Sequence, residues 1–92
     1  MNLTNTPQVD ETDPTWSRTG ARIAYASNAA TGEGNRRQYD VYALTLSDPK
    51  RPVRVTHNAS WDDSPAWDPT GRSLYFHSNR GGKWGIWKVG VP

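Results

Sequence analysis

The side chains of this chain that could act on a ligand are few, and they are grouped. Five of the nine acidic residues, Asp10, Glu11, Asp13, Asp62 and Asp63, form two clusters, each just ahead of a Pro-x-Trp triplet. Clustered carboxylates attract a cation or the basic segment of a partner, and they also accept hydrogen bonds from the backbone amides of a turn. The imidazoles, His57 and His77, are not placed as a pair by the sequence, and there is no cysteine. A metal centre needs several convergent ligands, and no metal-binding spacing occurs. There is no Gly-x-Ser-x-Gly elbow, no phosphate-cradling loop and no Ser, His and acid set to activate a nucleophile. The expectation is therefore no catalytic residue, no metal and no cofactor. What remains is recognition and packing by five Trp and four Tyr.

The elements that hold these residues must be economical. Ninety-two residues, 34% hydrophobic and with a mean hydropathy of −0.88, provide one small domain with a modest private core. An aromatic content of 11% is too high for a disordered chain, and without cysteine no disulfide supplements the core. A net charge of +2 is too small an excess to make a nucleic-acid-binding field. No apolar run exceeds four residues, so no membrane span is expected. The opening Met1-Asn2-Leu3-Thr4 has neither the basic nor the apolar region of a secretory signal, so none is expected there.

An internal repeat organises the chain. Pro14-Thr15-Trp16 recurs as Pro65-Ala66-Trp67, displaced by 51 residues, and Gly20, Ile23, Tyr25 and Ser27-Asn28 recur as Gly71, Leu74, Phe76 and Ser78-Asn79 at the same displacement. Leu3-Thr4 aligns with Val55-Thr56. Asp40-Val41-Tyr42 aligns with Gly85-Ile86-Trp87 at a displacement of 45, which places six extra residues in the first copy, in the polar stretch 29–37. Short β-branched and aromatic runs at 22–27, 40–46, 52–56, 73–78 and 85–89 alternate with Gly, Pro, Asn and Asp clusters, the pattern of strands and reversals. Ser17-Arg18-Thr19-Gly20 and Asp68-Pro69-Thr70-Gly71 each end a four-residue turn on glycine. No segment carries an apolar stripe at helical spacing.

Thr, an acidic residue, Pro-x-Trp-Ser or Asp, Gly, an aromatic and Ser-Asn, in that order and twice over, with Arg-Gly following in the second copy, resemble the TolB-type β-propeller repeat. The resemblance covers essentially the whole chain and implies an all-β fold of four-stranded antiparallel blades around a channel, six or more to a ring. It implies two blades here, about 10–57 and about 58–92, in a single unit over 1–92. It also implies a protein partner at a propeller mouth and a bacterial periplasmic or envelope setting. The second blade has three strands and the N-terminus has a surplus one. The expectation is that the 1–6 strand of a neighbouring copy completes blade 2, and that self-association closes the ring. A homotrimer, giving six blades, is the first choice by analogy with the six-bladed TolB ring, and a homotetramer, giving eight, the second. A unit engineered or excised from a longer propeller is the rival expectation.

In that frame Asp10, Glu11, Asp13, Asp62 and Asp63 stand near a channel mouth, either as an electronegative ring or as acceptors for loop amides. Trp16, Tyr25, Tyr42, Trp67, Phe76 and Trp87 recur in pairs and are expected to pack between blades. Trp61 and Trp84 have no Trp counterpart in the first copy, so they are the aromatics expected to face a ligand. The function expected is a non-enzymatic scaffold or protein-binding module, and the alternative is a carbohydrate-binding oligomer.

Overall fold

A computed structural model describes residues 3–4, 10–28, 39–57 and 61–92. The insert at 29–37 and most of the expected 1–6 strand lie outside the described residues. Those described form β1 (Glu11–Trp16), β2 (Arg22–Ser27), β3 (Asp40–Thr45), β4 (Asp48–Arg54), β5 (Asp62–Trp67), β6 (Ser73–Ser78) and β7 (Gly85–Gly90), with a 3-10 turn at Arg80–Gly82. They build two antiparallel sheets, β1-β2-β3-β4 and β5-β6-β7, called blade 1 and blade 2 below after the repeat units they correspond to. No described helix is long and apolar enough to cross a membrane.

The repeat is reproduced in the hydrogen-bond register. Glu11 pairs with Ser27 and Trp16 with Ile23, as Asp62 pairs with Ser78 and Trp67 with Leu74. Both inner strands bulge at the same point, with Asp13 at φ 56° and Ser64 at φ 51°. Each of these residues precedes a proline, which has no N–H for the ladder, so the pairing breaks there and resumes two residues on. The reversals repeat too: Gly20 N–H donates to the Ser17 carbonyl at 2.9 Å and Gly71 N–H to the Asp68 carbonyl at 3.0 Å. In the second turn Thr70 Oγ1 donates to the Asp68 carboxylate at 2.8 Å. This bond, with those from the Ser73, Arg72 and Gly71 amides, holds the Asp68 carboxyl below its ordinary value against a smaller opposing effect of desolvation.

The strands expected at 22–27 and 73–78 coincide with β2 and β6. The outer strand of blade 1 differs, running over Asp48–Arg54 where 52–56 was expected. Pro49 and Pro52 argue against a strand by composition, but β4 is an edge strand, where a missing N–H is tolerated. Val55 and Thr56 still continue alongside β3, both donating to the Val41 carbonyl, at 2.8 and 3.3 Å.

Alternation gives each blade two faces. The leading face of blade 1 carries Ile23, Tyr25, Tyr42 and Leu44, with Leu3 and Leu46 packed on it. Its trailing face carries Ala24, Ala26, Val41 and Ala43, all buried. The leading face of blade 2, through Leu74 and Phe76, packs onto Ala24, Val41, Ala43 and Val55, with Trp67 and Val89 at the margin. Phe76 is 1% exposed and Leu74 fully buried, so each contributes about 1.5–3 kcal/mol of apolar transfer energy. The blade pair is held from this core.

Candidate functional site

The entry to each inner strand is built by one asparagine clasp used twice. Asn28 Oδ1 accepts the Asp10 N–H at 2.9 Å, and Asn79 Oδ1 accepts the Trp61 N–H at 2.8 Å. In blade 2 this clasp sets Trp61 beside Asp63, whose Oδ2 accepts the indole N–H at 2.8 Å. Asp63 Oδ1 lies 3.3 Å from His77 Nδ1, and the imidazole stacks on Trp84 with ring centroids 4.2 Å apart. Tyr39 of blade 1 extends the row, its ring 5.1 Å from that of Trp61. Trp61 and Trp84, singled out because they lack Trp counterparts, thus converge on one carboxylate–imidazole pair. Half of Trp84 remains exposed (50%). Sequence reasoning set His77 aside. The signal available was its place opposite Asp63 once the hairpin register is known.

The five acidic candidates divide. Asp62 is fully buried and pairs with Arg80 at 3.3 Å. Asp13 accepts from the Ser64 N–H at 3.2 Å, joining the two bulges across the blades. Glu11 accepts from Thr4 Oγ1 at 2.8 Å, while Asp63 belongs to the aromatic row and Asp10 is exposed. Near Asp62 lies Asp40, also fully buried, held by Arg54 at 2.8 Å and Thr56 at 3.3 Å. Burial is the largest influence on the Asp40 carboxyl and lifts it above its ordinary 3.8, with Asp62 adding to the lift while Arg54 and Thr56 oppose it. Among the described residues no three His, Cys, Asp or Glu side chains group as metal ligands.

The six aromatics expected between blades also divide. Phe76 lies in the inter-blade core, and Trp67 is pinned at its margin by donating to the Thr15 carbonyl at 3.1 Å beneath the Arg22 guanidinium. Tyr25 and Tyr42 stack on the leading face of blade 1, which is turned away from blade 2. Burial first, then the Glu11 carboxylate and Tyr42, pushes the Tyr25 phenol up to about 12. Trp87 lies beside Phe76 in register and under Arg80, yet is 43% exposed, while Trp16 is 58% exposed. A groove of about 280 Å³, lined by Leu3, Glu11, Pro14, Ile23, Tyr25 and Leu44, opens on the leading face of blade 1.

Two four-residue turns, two pre-proline bulges and two asparagine clasps recur on consecutive antiparallel sheets, and a solved structure shares the fold. The structure of a "putative TolB" from Agrobacterium tumefaciens superposes with a TM-score of 0.74 at 28% identity, over 97% of this chain and 29% of that one. The fold is TolB-like. The chain is also 35% identical over 77 residues to the uncharacterized protein Atu1656 of Agrobacterium fabrum, covering 83% of this chain. It spans 24% of that relative's length. No protein-family model matches.

Proposed function

We propose that this TolB-like chain is a non-catalytic propeller module that binds protein, and that copies of it associate head-to-tail into a ring. The observation that carries the reading is the surface that blade 2 leaves uncovered. Ile86 is 72% exposed and Trp84, stacked on the His77 that pairs with Ile86, half so, on a sheet whose last strand, β7, pairs with β6 alone among the described residues. Soluble surfaces rarely leave large apolar side chains grouped in this way without a partner. The non-catalytic part is supported by the ties on the acids: Asp40 to Arg54, Asp62 to Arg80 and Asp63 to Trp61 and His77. An envelope setting, with a protein partner at the channel mouth, goes with the resemblance to TolB. Three copies would give six blades, and this stoichiometry is expected before the four that would give eight. Native mass spectrometry at rising concentration tests it: a discrete trimer is the expected result, and a folded single chain throughout would overturn the self-association.

A second reading, carbohydrate binding, is favoured by the convergence of Trp61 and Trp84 on Asp63 and His77, since an indole face with polar neighbours suits a pyranose ring. Its test is the Trp emission during titration with soluble oligosaccharides. A spectrum that stays unchanged across a broad panel would dispose of it.

A further inference from the structure

We infer that the hollow between the two four-residue turns binds a small oxyanion, a phosphate or carboxylate group, and that the anion bridges blade 1 to blade 2. The hollow holds about 200 Å³, and its lining includes Ser17, Arg18, Thr19 and Arg22 from blade 1 and Thr70 and Gly71 from blade 2. It lies at the other end of the inner strands from Trp61 and Asp63 and within a single chain, so it depends on neither function proposed above. Its volume is several times the roughly 30 Å³ share of one water and short of the roughly 300–1,000 Å³ of pockets for drug-sized ligands, which suits one charged group.

Arg22 is held in place at this hollow. Its guanidinium lies 4.8 Å from the centre of the Trp67 ring and donates to the main-chain oxygens of Gly71 at 2.6 Å and Pro92 at 3.0 Å, with further N–H donors left on the same group. Among the described residues neither Arg18 nor Arg22 pairs with an acidic side chain. Ser17 and Thr19 add a hydroxyl proton. Their oxygens are 3.4 Å apart, while Ser17 Oγ accepts the Arg22 N–H at 3.1 Å and Thr19 Oγ1 the Ala21 N–H at 3.4 Å. Whichever hydroxyl donates to the other, the second keeps its proton for a ligand. Arginine forks beside a hydroxyl match the oxygens of phosphate or carboxylate. The arginines are not needed to shape the turn. Asp68-Pro69-Thr70-Gly71 closes in the same way with Pro69 in the place of Arg18, and Ser73 stands at the head of β6 where Arg22 heads β2. The acid of that second turn, Asp68, is occupied by the Thr70 hydroxyl and by the Gly71 and Arg72 amides, so it offers the guanidinium groups no partner.

Trp67 serves as the reporter, since its ring lies under Arg22. The experiment follows its indole N–H resonance by NMR at neutral pH and constant ionic strength, replacing sodium chloride by sodium phosphate in one arm and by sodium acetate in the other. A shift that saturates at about millimolar anion is the expected result. Arg18→Gln, at an exposed position whose side chain the turn does not use, should keep the fold and weaken the binding by roughly three- to tenfold. Saturation by phosphate alone supports the site and assigns it to phosphate, and saturation by acetate supports it and assigns it to carboxylates. No shift in either arm, or one that grows linearly without saturating, would overturn the inference, because screening alone gives no more than that. Saturation that Arg18→Gln leaves unaltered would also overturn it, by placing the anion elsewhere on the chain.

Discussion

The trailing faces of the two blades share a backbone and share almost no side-chain volume. Where blade 1 has Ala24, Ala26, Val41 and Ala43, blade 2 has Tyr75, His77, Ile86 and Lys88 at the same register positions. The leading faces, by contrast, match in size: Ile23 with Leu74, Tyr25 with Phe76, Tyr42 with Trp87 and Leu44 with Val89. A repeated ladder of backbone hydrogen bonds imposes the same pleat on both blades, so the difference lies in what covers each face. Blade 1 needs alanines because Leu74 and Phe76 enter there, and close-packed interiors leave no room for more. Among the described residues blade 2 has no such guest, and its large side chains stand partly exposed. A contact between copies that joined this face to the leading face of blade 1 would set large residues against large ones. It would not duplicate the contact within the chain.

The largest expected effect comes from emptying the shared core. Phe76→Ala should destabilise the chain by about 3–5 kcal/mol, whereas its repeat counterpart Tyr25→Ala, beside an open groove that can refill, should cost about 2 kcal/mol. Urea denaturation of both variants checks this, and equal losses would mean that the two leading faces are covered equally well. Exchanging the trailing-face residues should follow in size. Ala24→Tyr forces a ring into a site with no free surface and should cost about 3 kcal/mol, while Tyr75→Ala on the half-exposed face should cost less than about 0.5 kcal/mol. A tolerated Ala24→Tyr would show that the blades can slide apart, which would remove the steric distinction between them.

Much of this fold was legible because the repeat supplies its own alignment. The displacements of 51 and 45 equate β2 with β6 and β3 with β7, whose registers match, and the paired glycines mark the turns. The start of β4 was not legible, since Pro49 and Pro52 suppress a strand signal that only an edge position permits. Equivalence placed Tyr25 with Phe76 on one kind of face. It did not tell which of the two faces another blade covers. The acidic clusters divide for another reason: Asp62 and Asp63 are neighbours in sequence, but strand alternation sends one into the buried interface and the other to the aromatic row. The grouping of Trp61, Asp63, His77 and Trp84 depends on a hairpin register that composition alone does not reveal.

The acids at the blade junction give a test that depends on pH. Because the folded Asp40 carboxyl lies above 3.8, the folded chain binds that proton more readily than the unfolded chain does. Its contribution to stability is therefore fully present below 3.8 and is lost as pH rises through the raised folded value. Asp40→Asn removes this proton, so the unmodified chain should gain stability relative to the variant as pH falls through that window. Denaturation midpoints of the two proteins that run parallel across the window would show that Arg54 and Thr56 offset burial.

The smallest difference between the blades should fall on the turns, where the two are expected to agree. Gly20 has φ 75° and Gly71 φ 73°, and a Cβ built on either meets no atom within 4 Å. Substitution by alanine is therefore opposed by backbone conformation alone, at about 1 kcal/mol in each case. Gly20→Ala and Gly71→Ala should shift the urea midpoint by the same amount, within error. Equal shifts, set beside unequal losses at Ala24 and Tyr75, would separate what the repeat copies from what it leaves free: turn geometry is set locally and recurs, while face chemistry is set by the neighbour and need not. A larger loss at Gly71 would instead trace to the Arg22 guanidinium, which donates to the Gly71 carbonyl at 2.6 Å and ties that turn, unlike its counterpart, to the other blade.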